Sequence, residues 1–290
     1  MYRIENDELI AEFKSLGAEC QRLYSKKTKT EFLWSGDKAY WRRHAPILFP
    51  IIGRLKENVY HYEGKTYSMS SHGFARDSEF EVFAQSKEMI SFVLKANEET
   101  KKVYPFDFAL KITYRLVASK LEVSMQVDNM GTSNLYFNIG GHPGFSIPYH
   151  GGQFEDYRLT IKSEEPANRY FVTKEGFIAS QSKEEELPFD LQLTHDLFAH
   201  DALIYRTTGA TKIYLHHCND SRYIEVGYDK LPFVGIWSPY PKKSPFVCIE
   251  PWVGMADTED SDGQLCHKVA IQKVAPNDYW RKQYYIQIHE

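Results

Sequence analysis

Phe108-Ala-Leu-Lys-Ile-Thr-Tyr-Arg-Leu-Val117 and Leu121-Glu-Val-Ser-Met-Gln-Val-Asp-Asn129, with only Ala118-Ser-Lys120 between them, set the reading of the whole chain. Both segments are long and rich in β-branched and aromatic residues, and the connection is short enough to fold them back on each other as a β-hairpin. The same signature, a short β-branched or aromatic run closed by Gly, Asn, Asp or Pro, recurs in both directions. Toward the N-terminus it predicts strands at 8–13, 19–24, 31–34, 79–84 and 90–95, and a second hairpin of 58–62 with 67–70 around Glu63-Gly64-Lys65. Toward the C-terminus it predicts strands at 157–161, 202–205, 212–216, 223–226, 233–237, 246–250, 269–273 and 284–289. Helical periodicity is nearly absent. One turn at 98–103 and a short helix capped by Thr194 are expected, and Lys183-Glu-Glu-Glu186 reads as a solvated loop. At a usual strand length of roughly 5 to 6 residues the chain holds perhaps 15 to 20 strands, too many for one open sheet. The prediction is therefore an all-β domain spanning residues 1–290, with two large stacked sheets and few short helices.

Composition narrows the partners. The 290 residues carry a formal charge of -4, and Lys and Arg are scattered among acids, so no basic field is offered to nucleic acid. No apolar run approaches the roughly 20 residues that cross a bilayer, and the first residues lack a signal-peptide profile. A cytoplasmic protein without a membrane partner is expected. Cys20, Cys218, Cys248 and Cys266 show no CxxC spacing and fit reduced thiols. His216 and His217 precede Cys218, but adjacent strand residues point to opposite faces, so no metal site is predicted there.

Three segments place a titratable residue beside glycine or proline. In Asn138-Ile-Gly-Gly-His-Pro-Gly-Phe-Ser-Ile-Pro148, Gly140, Gly141, Pro143 and Gly144 suggest a hinge whose backbone angles hold His142. The second is Ser71-His-Gly-Phe-Ala-Arg76. The third is Cys248-Ile-Glu-Pro-Trp252, where Glu250 interrupts an apolar strand just before a proline. A carboxylate so placed is either the ion-pair partner of a buried arginine or a base with a raised pKa. The apolar run 45–52 contains two prolines, which suits a buried edge, and it delivers Arg54 after Gly53. Two histidines, a glutamate and an arginine suit acid–base work on a neutral polyhydroxyl compound. Trp237, Trp252, Phe74 and Phe145 either give apolar faces to a sugar ring or are core. No Gly-x-Ser-x-Gly elbow and no Gly-rich phosphate loop before a helix is present, so neither a serine nucleophile nor a nucleotide cofactor is indicated.

On Phe49-Pro-Ile-Ile-Gly-Arg54, His72-Gly-Phe-Ala-Arg76, Tyr104-Pro-Phe106, Gly140-Gly-His-Pro-Gly-Phe145 and Cys248-Ile-Glu-Pro251, the sequence resembles the aldose 1-epimerase (galactose mutarotase) family, in particular its LacX-like bacterial branch. The resemblance implies a β-supersandwich fold and mutarotase activity without a cofactor or metal. By it Glu250 is the base at the anomeric hydroxyl, His142 the acid at the ring oxygen, and His72 a second histidine assisting there. Arg54 and Asp201 bind sugar hydroxyls. The chain departs from galactose mutarotases at Pro143-Gly-Phe-Ser146, where Pro-Tyr-Phe-Asn is usual, and so opens the sugar preference. His72-Gly-Phe-Ala-Arg76 and Ile236-Trp-Ser-Pro-Tyr-Pro-Lys-Lys243 are also similar to the hexose-6-phosphate mutarotases, in which Arg76, Lys242 and Lys243 would hold the phosphate. The expected partner is thus an aldohexose or a sugar phosphate. A non-catalytic carbohydrate-binding module is the other alternative, and a homodimer is compatible with the resemblance.

Overall fold

The computed structural model describes residues 1–164, 167–180 and 190–290. Strands Phe108–Val117 and Lys120–Asn129 pair antiparallel without a break, from Val117 opposite Lys120 to Phe108 opposite Asn129. Their turn is tighter than the sequence suggests. Lys120 is already in the ladder, and Ala118 takes the left-handed backbone region (φ 50°) to close it. Leu121, Val123, Met125 and Val127 are buried and alternate with the less buried Glu122, Ser124, Gln126 and Asp128. That two-residue alternation fixes the register, and each side chain so withdrawn from water contributes about 1.5–3 kcal/mol.

The hairpin lies within a nine-stranded antiparallel sheet. Its order is Leu191–Gln192, Tyr157–Lys162, Ala210–His217, Tyr223–Asp229, Tyr279–His289, Lys120–Asn129, Phe108–Val117, Met89–Lys95 and Glu81–Gln85. A second large sheet runs Asn168–Tyr170, Leu203–Arg206, Phe233–Trp237, Phe246–Val253, Ile139–Gly141 and Ile47–Leu48, and Gly144–Ser146 also pairs with Phe246–Val253. One apolar cluster takes Ile112, Val123, Ile213 and Ile286 from the first sheet and Leu203, Ile236, Val247 and Ile249 from the second. The two sheets are therefore stacked around a common core, as the strand count requires. The fold is all-β, with smaller sheets at its margins.

Local expectations mostly hold. The 45–52 run contributes the edge strand Ile47–Leu48, and the second hairpin pairs Val59–Tyr62 with Lys65–Ser68. Glu98–Val103 is helical, closed by a reciprocal cap between Asn97 and Thr100. Residues 31–34 form only isolated bridges, at Glu31 and Leu33, because their backbone bonds divide between two neighbours, the Phe32 amide donating to Leu23 O and the Trp34 amide to Gly144 O. Thr194 precedes a one-turn 3-10 helix, His195–Phe198, without capping it by its side chain. The acidic patch 183–186 lies outside the described residues.

Candidate active site

Every residue of Phe246–Val253 is buried, and its alternate side chains go opposite ways. Val247, Ile249 and Val253 enter the core between the sheets. On the other face Phe246 and Cys248 join an aromatic cluster with Trp34, while Trp252 packs with Leu48, Ile52, Phe233 and Met255. Glu250 is the polar residue between those two clusters. The strand does not stop at Pro251: that proline stands beside the gap between Ile139–Gly141 and Gly144–Ser146, where no ladder amide is needed from it.

That gap holds His142. Gly140 pairs with Trp252 and Gly144 with Cys248, so His142 lies across from Glu250 in antiparallel register. Their Nε2 and Oε2 are 3.1 Å apart. The flanking glycines are not hinges, since none of Gly140, Gly141 and Gly144 has a positive φ. They are glycines for space. A Cβ on Gly141 would lie 2.4 Å from Tyr284 Oη of the facing sheet, and one on Gly140 would lie 2.5 Å from Trp252 Cδ1. Gly235, on the strand at the other side of Glu250, makes room for the same indole, its Cβ position falling 2.4 Å from Trp252 Cη2. We expect Gly235→Ala to displace Trp252 and to destabilise the fold by roughly 1–3 kcal/mol, the usual range for overpacking, as read by thermal or denaturant melting.

His142, Glu250, His72, Arg54, Arg76, Asp201 and Trp237 all line one cavity of about 250 Å³. Sequence reasoning missed Trp41, which lines it too and stacks on His142 with ring centroids 4.8 Å apart. Of the four aromatics offered for a sugar face, Trp237 and Trp252 line the cavity. Phe74 and Phe145 instead pack in or against the main core. Lys242 donates to Ala39 O, and neither Lys242 nor Lys243 lines the cavity. His216 bonds to Thr160 while His217 packs on Tyr157, so the two diverge as adjacent strand residues must.

Backbone geometry fixes the second histidine. His72 adopts a left-handed φ of 65°, donates its amide to Gly53 O at 2.9 Å and accepts at Nδ1 from the Gly53 amide at 3.2 Å. An accepting Nδ1 carries no proton, so neutral His72 presents Nε2–H. Gly73 follows because a Cβ there would lie 2.2 Å from Phe49 O. Arg76 is held by Ser71 O at 2.7 Å, and among the described residues the exposed Arg54 guanidinium donates to Glu175 O, at 3.4 Å. Asp201 sits at the rim with φ 71° and accepts from the Ala202 amide at 2.8 Å.

Burial dominates the electrostatics. It pushes the Glu250 carboxyl well above its usual range, aided by the negative charge of Asp201 and opposed by the Trp252 indole N–H. It holds His142 well below the ordinary imidazole value, reinforced by His72, Arg76 and Arg43. His72 is lowered to about 3 by burial, with Arg76, Arg43 and Arg54 adding to it. No arginine pairs with Glu250 among the described residues, so the ion-pair alternative gives way to a perturbed acid beside a histidine. Cys248 brings its sulfur within 4.8 Å of both groups. Its thiol is raised by burial and by Glu250, so the sulfur is held as a neutral thiol beside the His142–Glu250 pair. The trio reads as an acid–base site.

The sequence model of the family described as Aldose 1-epimerase matches residues 1–257. This chain belongs to the aldose 1-epimerase family. It is 31% identical over 299 residues to the chromosomal protein LacX of Lactococcus lactis subsp. lactis, covering 98% of each chain. Its fold matches a galactose mutarotase related enzyme from Lactobacillus acidophilus with a TM-score of 0.95 at 40% identity, over 100% of this chain and 97% of that one. A galactose mutarotase-like protein from Lactobacillus casei follows at 0.91 and 32%, each chain covered in full. Membership of the aldose 1-epimerase family implies isomerase activity and a sugar as the kind of substrate.

Proposed function

We propose that this chain is a cofactor-independent mutarotase, interconverting the α and β anomers of an aldose by opening and reclosing the ring. The observation that carries this reading is the buried, cross-strand pair of His142 and Glu250, 3.1 Å apart at the wall of a cavity that also holds Trp237, Arg54 and Asp201. Ring opening removes a proton from the anomeric hydroxyl and adds one to the ring oxygen, so it needs an acid and a base close together and no net proton exchange with water. Glu250 takes the first proton and His142 delivers the second, while His72 donates a hydrogen bond from Nε2 toward the ring oxygen. Rotation about C1–C2 presents the other face of the aldehyde, and reclosure reverses the two roles. Arg54 and Asp201 bind hydroxyls, and Trp237 offers an apolar face to the ring's C–H side.

The pair works when it holds one proton between the two groups. Because burial lowers His142 and raises Glu250, the singly protonated pair spans a wide pH interval. A second proton is added only on the acid side of the ordinary imidazole value near 6.5, and the last is lost only on the alkaline side of the ordinary carboxylate value near 4.3. We expect the acid limb of kcat/KM to lie below the ordinary imidazole value and the alkaline limb above the ordinary carboxylate value. An acid limb at or above about 6.5, or an alkaline limb at or below about 4.3, would contradict the assignment.

A second reading has its own observation. Arg54 and Arg76 line the cavity together, and among the described residues Arg76 Nε is buried without a hydrogen bond, its nearest carboxylate being Asp77 Oδ2 at 3.7 Å, so an anionic substituent such as a 6-phosphate has two guanidinium groups within the cavity. Polarimetry of freshly dissolved α-glucose, α-galactose and glucose 6-phosphate tests both readings. Acceleration with the neutral sugars supports the first, and acceleration confined to the phosphate supports the second. If no sugar responds but sugars bind, the chain is a carbohydrate-binding module on this fold.

A further inference from the structure

We propose that Trp41 is a positioning residue: its indole holds the plane of the His142 ring toward Glu250 and favours the imidazolium that delivers the proton to the ring oxygen in the proposed ring opening. The second half of that statement rests on the mutarotase reading, and the first half stands on the geometry alone.

A histidine used for proton transfer commonly has its far nitrogen tied to a carboxylate or carbonyl, which fixes tautomer and orientation. Among the described residues no carboxylate or carbonyl of another residue holds the buried Nδ1 of His142. Trp41 stands in place of such a partner. The two rings stack with centroids 4.8 Å apart and planes 28° apart, and Trp237 closes the side edge-on at 5.8 Å.

Trp41 is itself held from several directions, although it belongs to a stretch outside any strand. Its ring stacks on Phe246 at 5.7 Å and 15°, and meets Trp237 edge-on at 5.7 Å. Its carbonyl accepts from Trp34 Nε1 at 2.8 Å, and its amide donates to Asp37 O at 2.9 Å. Phe246, which it leans on, belongs to the same strand as Glu250, so acid and base are referred to one frame.

Several titratable or charged groups face His142: Glu250 at 3.1 Å, Cys248 within 4.8 Å, His72 with its ring 5.8 Å away, and the Arg76 and Arg43 guanidinium groups. The two arginines and the surrounding burial oppose an imidazolium. An ionised Glu250 and the negative face of an indole favour it, and the indole effect is strongest where water is excluded.

The test compares Trp41→Leu, which keeps apolar cover but removes the ring, with Trp41→Phe, which keeps a ring. Two readouts are needed: kcat and KM against pH, and the pH at which His142 gains its proton, from its imidazole nitrogen shifts by NMR. Trp41→Leu is expected to lower kcat about tenfold with little change in KM, and to move the His142 titration and the acid limb to lower pH. Trp41→Phe is expected to restore most of the rate and the titration. If Trp41→Leu titrates at or above the wild-type pH, the proposal fails. It also fails if KM rises at unchanged kcat, which would make Trp41 a platform for the sugar instead. Should Trp41→Leu not fold, Trp41→Met supplies the same comparison. If the wild type accelerates no sugar, the mutarotase reading falls, while the NMR titration still decides the stacking.

Discussion

Glu250→Gln should cut turnover by at least about 100-fold while leaving sugar affinity almost unchanged. Glutamine matches the carboxyl group in shape, so neither the flanking aromatic clusters nor the backbone has to move. It cannot accept the anomeric proton. The interaction lost is therefore one made during reaction and not on binding, which lowers kcat and kcat/KM together. Stability gives a second measurement of the same side chain. Burial raises the folded-state pKa of Glu250, so the native protein keeps a proton that the unfolded chain gives up near pH 4.3. Wild-type stability should accordingly fall as pH climbs from there through the raised pKa, and the glutamine variant should lack that loss. Near-normal turnover in Glu250→Gln would remove Glu250 from the role of base, whatever the melting curves show.

Lys268→Met should produce a large loss of stability from a single change outside the cavity. Lys268 Nζ lies 2.5 Å from Asp257 Oδ1, and both side chains are only 2% exposed. Removing the cation leaves a buried carboxylate uncompensated, which typically costs about 3–5 kcal/mol. For a chain of this size that corresponds to a fall in Tm on the order of 10 °C. Asp257 does more than neutralise a lysine. Its other oxygen accepts from the Lys56 amide at 3.0 Å, and its own amide donates to Arg54 O at 2.9 Å. The variant should thus also weaken sugar binding through Arg54, seen as a raised KM with kcat largely kept. An unchanged melting temperature would show that the pair is not worth its desolvation.

Much of the fold was legible because strands with one buried face write their geometry into the sequence. The alternation of Leu121, Val123, Met125 and Val127 is an example, whereas the turn after Val117 is tighter than the sequence suggests because Lys120 already joins the ladder. The residues that meet in the cavity were legible for a different reason, the order of short motifs along the chain. What they do when they meet was not. Register across a gap in a ladder decides that His142 faces Glu250, and no local pattern encodes it. The glycines beside His142 were misread because a missing side chain looks the same in sequence whether it frees a backbone angle or clears room for Tyr284 and Trp252. Trp41 escaped notice because the stretch from 35 to 46 follows no period, and its importance comes from a stack formed only in three dimensions. For Phe145 the sequence left a sugar face and the core both open: two residues beyond Pro143 the strand has resumed, and its alternation turns that ring into the core.

The placement of Glu250 on an alternating strand ties chemistry to folding fidelity. If Phe246–Val253 paired one residue out of step, Ile249 and Pro251 would point into the cavity and the carboxyl would be driven between the sheets. Such a chain would carry an unpartnered acid in its core and an aliphatic wall where the proton acceptor belongs. A misregistered yet durable protein is thereby excluded, because the error that silences the site also removes the reason for the sheets to stay together. Quality control of the fold and retention of the reaction become a single requirement, imposed by one side chain on an otherwise apolar strand.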